Sequence, residues 1–209
     1  MGKTVRPTSG RPRLSSCQIL ADAASELFLE RTYAGTTIED ITQRAGVSRS
    51  TFFNYFSAKS DVLWLEVDAS VIHLADALEA VPSDEPVMAA IRRGLLAVAV
   101  EFGPGRVPWA LTQCDLMATS SELEASALSR FLAQVKVLRE FIAAKLGLDR
   151  DDLLPQAIAT AVIGAAVAAA AAWARAGVTR GALTPYVAEA ISPVCAGFQA
   201  ALDAAASKR

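Results

Sequence analysis

Two short helical segments, joined by a turn of three residues, constrain this chain more than any other part of it. The first segment starts after Thr37, whose hydroxyl can cap a helix with acidic side chains in its first turn, and it ends at Gly46. The second starts at once, because Ser48 can cap it and Val47 can pack against Phe52, and it extends to residue 55 or 56. Two short helices around a glycine-containing turn predict a helix-turn-helix motif.

The second helix of this motif has two chemically different faces. At 100° per residue, Phe52 and Phe56 lie at about 300° and 340° from residue 49 and are expected to pack against the preceding helices. An outward ring is unfavourable in water, whereas the major groove of DNA would cover it and would offer base edges to Arg and Asn. The residues expected on that outward face are Arg49, Ser50, Phe53 and Asn54.

Two further side chains near the motif suggest contacts to DNA phosphates. Lys59 is expected in the first turn of a fourth helix, where a cation opposes the helix dipole and a phosphate would resolve the conflict. The hydroxyl of Tyr55 and the capped helix start at Thr37 can add contacts that do not depend on base sequence. An ordinary solvated lysine and a tyrosine at the edge of the core are the alternatives.

Charge is distributed unevenly along the chain. Residues 1–60 carry eight Lys and Arg against five Asp and Glu, whereas residues 61–209 carry 12 against 17. Four of the basic residues lie within residues 1–13 among Gly, Pro, Ser and Thr, which predicts a flexible basic arm suited to a polyanion. A tail that merely improves solubility is the alternative.

The remaining sequence is rich in Ala and Leu, and its apolar residues repeat at helical spacing. We therefore expect an all-α protein of about nine helices, the first of them capped by Ser15 and ending near residues 31–35. Beyond the motif, helices are predicted at about 57–80, 86–102, 108–118, 122–147, 151–177 and 184–206. Residues 14–60 are predicted to form one domain and residues 61–209 a second.

One segment has the length of a membrane span, since only Thr160 is polar between Ala157 and Ala174. The segment is mostly Ala and Gly, which gain little from transfer into hydrocarbon, and it lacks flanking aromatic anchors, so no membrane partner is expected. The chain has three cysteines, far apart in sequence, and an N-terminus without the apolar core of a signal peptide. These features favour a cytoplasmic protein.

The inventory of chemical groups argues against an enzyme. His73 is the single histidine, which leaves neither a multi-histidine metal site nor a histidine-dependent triad. The glycines at 103 and 105 lack the spacing of a phosphate-binding loop. No catalytic residue, metal site or cofactor is predicted.

The motif region resembles a known family. Residues 36–59 read TTIEDITQRAGVSRSTFFNYFSAK, which is similar to the DNA-binding signature of TetR-type regulators, and the likeness covers about residues 14–65. The resemblance implies that Thr37, Thr51, Tyr55 and Lys59 contact phosphates. It also implies that Arg49, Ser50, Phe53 and Asn54 approach bases. At the position of Phe53 the family commonly has tyrosine, so the hydrogen bond to a phosphate that is often made there cannot form in this chain.

The resemblance also implies a function. The helix-turn-helix domain would bind double-stranded DNA, and residues 61–209 would form a ligand-binding and dimerisation domain. We expect a homodimeric repressor on a palindromic operator, released when a small apolar effector moves the fourth helix. A helical protein-binding adaptor is the alternative, and a strong salt dependence of DNA binding would exclude it.

The second domain offers fewer chemical signals. Candidate aromatic residues for an effector cavity are Phe102, Trp109, Phe131, Phe141 and Trp173, with His73, Gln113 or Arg139 as a polar contact. Plain core packing is the alternative for each ring. Small residues recur every four positions at Gly164, Ala168 and Ala172, and with Phe198 on the last helix they are candidates for the dimer interface, packing within one subunit being the alternative.

Overall fold

The computed structural model describes residues 16–105, 107–113 and 121–207. Its regular structure is helical, as expected, and the described residues contain nine α-helices. The chain divides into two compact units on either side of the bond between Val62 and Leu63. The predicted basic arm, the Ser15 cap and Cys114 lie outside the described residues, whereas Cys17 and Cys195 are free thiols.

Three helices build the first unit: α1 (Ser16–Arg31), α2 (Ile38–Ala45) and α3 (Arg49–Phe53). Its core consists of apolar side chains from all three helices, which are almost completely shielded from solvent: Leu20, Ala24, Leu27, Ile41 and Phe52. Helix α3 is shorter than the seven or eight residues predicted. The backbone N–H groups of Tyr55 and Phe56 both donate to the Phe52 carbonyl at 3.0 Å, so the helix ends in a tight turn.

A short 3₁₀ helix, Lys59–Trp64, replaces the predicted start of the fourth α-helix. The Asp61 carboxylate accepts from the backbone N–H groups of Ser57 and Ala58 at 3.0 and 2.9 Å, and thereby caps this tighter turn. The α-helix proper, α4, covers Leu65–Glu79. The prediction of a single helix from residue 57 was therefore wrong in its first two turns.

Helix α4 and five further helices form the second unit. The five are α5 (Val87–Ala99), α6 (Trp109–Gln113), α7 (Ser121–Leu146), α8 (Leu153–Arg175) and α9 (Thr184–Ala206). The described part of the predicted helix 108–118 ends at Gln113. The N–H of Leu183 donates to the Phe102 carbonyl at 3.2 Å, which ties the start of α9 to the loop after α5.

Helix α8 is the segment that has the length and composition of a membrane span. Five of its residues, Ile158, Ala159, Val162, Ile163 and Trp173, are 0% exposed and belong to the apolar core of the second unit. The helix packs mainly against α7 and α9. Its apolar character therefore serves the protein core, and α8 is a core helix.

Candidate nucleic-acid interface and internal cavity

The two faces of the turn around α3 differ in exposure as the sequence predicts. Phe52 and Phe56 are 0% and 5% exposed, whereas Phe53 is 45% exposed. The Phe52 ring lies 5.3 Å from the Phe56 ring and meets the Phe53 ring edge-on at 5.5 Å. The two buried rings thus hold the turn from behind, and the third ring stays at the surface.

Backbone caps on the neighbouring helices fix the orientation of α3. Thr37 and Asp40 form a reciprocal capping box at the start of α2. Gly46 ends that helix with φ of +67°, a left-handed conformation that glycine adopts without strain. Ser48 then caps α3, since its hydroxyl accepts from the Thr51 N–H at 3.1 Å. The turn geometry is therefore specified by local polar groups.

Arg49 begins the exposed face of α3. Its guanidinium forms an ion pair with Glu39 and lies 5.2 Å from the centre of the Phe53 ring. Ser50 and Thr51 are held through the Ser48 hydroxyl, at 2.8 and 2.9 Å. These contacts limit the rotamers available to the exposed side chains before any ligand is bound.

Asn54 and Tyr55 follow α3 in the turn and are both exposed, Tyr55 at 49%. Tyr55 is thus a surface residue in this structure, not a residue at the edge of the core. Together with Arg49 and Phe53 they present a guanidinium, an amide, a phenol and an apolar ring on one short element. Such groups match the acceptors, donors and thymine methyl groups of a DNA major groove and the flanking phosphates.

Lys59 lies differently from the expectation. Its ammonium donates to the carbonyl oxygens of Tyr33 and Thr36 at 2.7 and 2.8 Å and lies 4.0 Å from the centre of the Tyr33 ring. These contacts account for a cation at this position without a phosphate. The sequence pattern did not reveal these carbonyl partners after α1, and the phosphate contact of Lys59 stays a prediction.

The second unit contains a cavity of about 360 Å³ that is partly open to solvent. Side chains from α4 to α8 and from the start of α9 line it, and most of them are apolar: Val67, Leu95, Val98, Phe102, Leu111, Phe131, Val167, Leu183 and Val187. The polar side chains on its wall include Ser70, Arg130, Gln134 and Arg175. A cavity of this size with few polar groups suits a small apolar molecule.

Only some of the predicted cavity residues line this space. Phe102 and Phe131 are on its wall. Trp173 is instead 0% exposed in the core, and its indole N–H donates to the Gly181 carbonyl at 2.8 Å. Trp109 and Phe141, both partly buried, are not on the wall either.

The predicted polar contacts also lie elsewhere. His73 is not on the cavity wall; its side chain is 43% exposed and pairs with Glu101 at 2.9 Å. Arg139 donates to Gln156 at 3.1 Å between α7 and α8. The side chain of Gln113 lies outside the described residues.

Trp64, Arg130 and Gln134 also line the cavity, and none of them was predicted from the sequence. Helical spacing from Phe131 would have found two of them, since Ala127, Arg130, Phe131 and Gln134 follow the i, i+3, i+4, i+7 pattern of one helix face. Trp64 precedes α4 in the 3₁₀ helix. No repeat in the sequence marks that position.

The candidate dimer residues lie on two adjacent helices, α8 and α9. Ala168 is exposed, whereas Gly164, Ala172 and Phe198 are partly buried. A side-chain carbon added to Gly164 would meet no atom within 4 Å. The small-residue face of α8 therefore retains open space beside it within one subunit.

A compact helix-turn-helix unit that exposes base-reading side chains, followed by a larger helical unit with an apolar cavity, defines a DNA-binding transcription regulator. Residues 20–63 match the family model described as bacterial regulatory proteins of the tetR family. Residues 85–199, more than half of the chain, match the model of the MftR C-terminal domain. The chain belongs to the TetR family of transcriptional regulators, with an MftR-type C-terminal domain.

Individual relatives agree with this assignment. A candidate mycofactocin biosynthesis transcriptional regulator, MftR of Mycobacterium tuberculosis, is 26% identical over 166 residues, which cover 79% of this chain and 83% of the relative. This relative is a transcription regulator, and the TetR family consists of regulators, not enzymes. Family membership also decides against the adaptor hypothesis.

Solved structures share the fold. FadR of Thermus thermophilus, in complex with lauroyl-CoA, has a TM-score of 0.58 and 21% identity, covering 85% of this chain and 92% of that one. FadR of Bacillus subtilis, in complex with stearoyl-CoA, has a TM-score of 0.59 and 16% identity, covering 86% and 98%. At these identities the likeness establishes the fold alone.

Proposed function

We propose that this protein is a cytoplasmic repressor that binds a palindromic operator as a homodimer and is released by a small apolar effector. The apolar cavity of about 360 Å³ in the second unit is the observation that carries the proposal. A folded core loses dispersion contacts around such a space, so an empty cavity is unfavourable unless a ligand fills it. The acyl chains of the acyl-CoA molecules in the two FadR structures support a lipophilic effector here.

On the DNA side, Arg49, Ser50, Phe53 and Asn54 are proposed to approach bases. Their exposure and the two buried phenylalanines behind them support this assignment. The proposed phosphate contacts are Thr37, Thr51, Tyr55 and Lys59. Thr37 and Lys59 already bond within the chain, so a phosphate would have to share or replace those bonds.

The proposed dimer forms through the small-residue faces of α8 and α9. A side-chain carbon added to Gly197 on α9 would meet no atom within 4 Å, just as at Gly164, and Ala168 on α8 is exposed. Small side chains let helices approach closely, so a second copy would bury these faces. Two recognition helices held roughly 34–36 Å apart would bind successive major grooves as one unit.

Regulation is proposed to act through α4, as in the hypothesis drawn from the sequence. An effector in the cavity would contact α4 at Val67 and Ser70 and shift that helix. A coupling free energy of about 1–3 kcal/mol between effector and operator is typical of such systems and suffices for control.

Footprinting on DNA flanking the protein's own gene tests the DNA assignment. We expect a protected palindrome whose affinity falls steeply with salt, because phosphate contacts release counterions. Arg49→Ala and Phe53→Ala should each weaken the footprint while leaving the helical circular dichroism unchanged. Binding that does not depend on salt would contradict the proposal.

Analytical sedimentation measures whether the protein is a dimer in solution. Ala168→Glu puts a charge on the proposed interface and is expected to give monomers with a weakened footprint. Ala125→Glu is the matched control, since Ala125 is an exposed alanine on α7, away from that interface. Equal behaviour of the two variants would exclude the α8 and α9 interface.

A further inference from the structure

Among the described residues of the cavity wall, Trp64 alone has all three of the following properties. It lines the cavity, it is 5% exposed, and its indole Nε1 is buried with no hydrogen-bond partner among the described residues. A buried N–H donor without a partner is rare in folded proteins, because the group loses its bonds to water and gains nothing in return. A ligand that places an acceptor beside Trp64 would give this donor the partner that it lacks.

We propose that Trp64 is the residue that recognises the effector, and that the effector is an uncharged apolar molecule with one hydrogen-bond acceptor, which takes the Trp64 N–H. The inference rests on the proposed function, because it assumes that the cavity binds an effector. It adds the chemical class of that effector and the residue that selects it.

Arg130 of α7 fixes the Trp64 ring. Its guanidinium lies 5.2 Å from the centre of the indole. The same guanidinium donates to both carboxylate oxygens of Asp68, from Nε at 2.7 Å and from Nη2 at 2.9 Å, and to the Ser126 hydroxyl at 2.5 Å. A planar guanidinium held at several points cannot turn freely, so the ring beneath it has a defined position.

The same pair of charges argues for an uncharged effector. Arg130 lies on the cavity wall, and its side chain is 14% exposed. Because Asp68 binds it in two places, the cation is already compensated, and an anionic group in the cavity would have to compete with a carboxylate that is fixed in the protein. A neutral acceptor at Trp64 needs no such exchange. Arg175, the other arginine on the wall, is exposed to solvent, so its charge does not require an anion in the cavity.

The position of Trp64 in the chain gives the contact a consequence for regulation. Trp64 is the last residue of the 3₁₀ helix and immediately precedes α4, and Asp68 lies in the first turn of α4. The 3₁₀ helix contains the point at which the chain passes from the first unit to the second. A ligand bonded to Trp64 therefore acts on the segment that joins the two units.

Two probes isolate the proposed hydrogen bond. Valerophenone has a carbonyl group where pentylbenzene has a methylene, so the two molecules differ in one acceptor at nearly constant shape. Affinities for the purified full-length chain are measured by calorimetry for the wild type and for Trp64→Phe, which removes the N–H and keeps an aromatic ring. We expect the substitution to weaken valerophenone about five- to tenfold relative to pentylbenzene, as loss of one hydrogen bond predicts.

Trp173→Phe is the matched control. Trp173 is also buried beneath an arginine, with the Arg180 guanidinium 5.6 Å from its ring, but its N–H already donates to the Gly181 carbonyl and it does not line the cavity. This substitution is expected to lower stability while the ratio of the two probe affinities stays within about twofold of the wild type. A structural role of Trp64 alone would alter both probes equally.

Operator binding provides a second readout. Saturating valerophenone is expected to weaken operator binding by the wild type about tenfold and to have little effect on Trp64→Phe. If the ketone-to-hydrocarbon ratio is the same in the wild type and Trp64→Phe, the inference is wrong although the proposed function stands. If the wild type binds neither probe, the proposed effector cavity and the inference are both wrong.

Discussion

The two units of this protein are stabilised by different means. In the first unit, polar groups close almost every turn: the Thr37 and Asp40 capping box, the Lys59 ammonium on two carbonyl groups, and Arg44 bound to Glu26 and Glu30 at 3.1 and 2.7 Å. In the second unit, one large apolar cluster joins the helices, and its core residues extend from Leu74 on α4 to Cys195 on α9.

This difference corresponds to what each unit has to do. A small unit buries too little apolar surface to fix a five-residue helix by packing alone, so local hydrogen bonds define the orientation of α3. The larger unit buries enough apolar surface to remain stable although it contains a cavity. The first unit thus presents a rigid surface, and the second a space that different apolar molecules can occupy.

Phe52→Ala tests the stability of the first unit most directly. Phe52 is 0% exposed, and its loss is expected to cost about 3–5 kcal/mol in the free energy of unfolding. Because Phe52 belongs to the first unit, we expect its unfolding to precede that of the second and operator binding to disappear while pentylbenzene binding remains. Denaturation followed by helical circular dichroism and by probe binding distinguishes the two units.

Phe53→Ala is the control for the stability measurement in this experiment, because Phe53 itself is a proposed DNA contact. It removes the same side chain from the adjacent position, where the ring is 45% exposed, and the loss of stability is expected to be below about 1 kcal/mol. Simultaneous unfolding of both units in Phe52→Ala would show that they do not behave independently.

Arg49→Ala tests how much the first unit's exposed surface contributes to operator binding. Loss of a guanidinium that contacts a base edge is expected to cost about 1–3 kcal/mol of operator affinity with little change in stability, because the Arg49 ion pair with Glu39 is exposed. Fluorescence anisotropy with a labelled operator measures the affinity. Glu39→Gln removes the partner and retains Arg49, so it should leave operator binding at least as tight; weakened binding would mean that the ion pair is needed to position Arg49.

The sequence predicted the first unit well because its signals are local. Caps at Thr37 and Ser48, the glycine at 46 and the spacing of Phe52 and Phe56 all act within a few residues, and each is present in the structure. Lys59 is the exception. Its partners, the carbonyl groups of Tyr33 and Thr36, are 26 and 23 residues away in the chain, a separation that no helical pattern encodes.

The second unit shows the same limit more strongly. Apolar spacing predicted the helices there, but Phe102 lines the cavity whereas Trp173 fills the core, and both are aromatic residues of segments predicted to be helical. Which of them faces a space depends on how six helices pack together. The sequence could therefore identify aromatic candidates for the cavity but not which of them lie on its wall.

Lys59→Met tests a contact that the sequence did not predict. Methionine keeps the apolar length of the side chain and leaves the carbonyl groups of Tyr33 and Thr36 without the ammonium, which we expect to destabilise the first unit by about 1–2 kcal/mol. Lys136→Met on α7, where the lysine is 65% exposed, should change stability by less than about 0.5 kcal/mol. If Lys59 also contacts a phosphate, the substitution lowers the salt slope of operator binding by about one; an unchanged slope would leave it a purely structural contact.

The smallest effect is expected from pH, and it too belongs to the first unit. The Thr37 hydroxyl and backbone N–H donate to the Asp40 carboxylate and lower its pKa below the ordinary value of 3.8. Since the folded-state pKa is the lower one, this carboxylate stabilises the first unit at pH values above 3.8 and loses its contribution as the pH falls through the folded-state pKa. Comparing denaturation of the wild type and Asp40→Asn between pH 6 and 3 isolates this group from Glu30, whose pKa is also lowered, by the hydrogen bond from Arg44. The stability difference between the two proteins should shrink on acidification; a constant difference would mean that the capping box does not depend on the charge of Asp40.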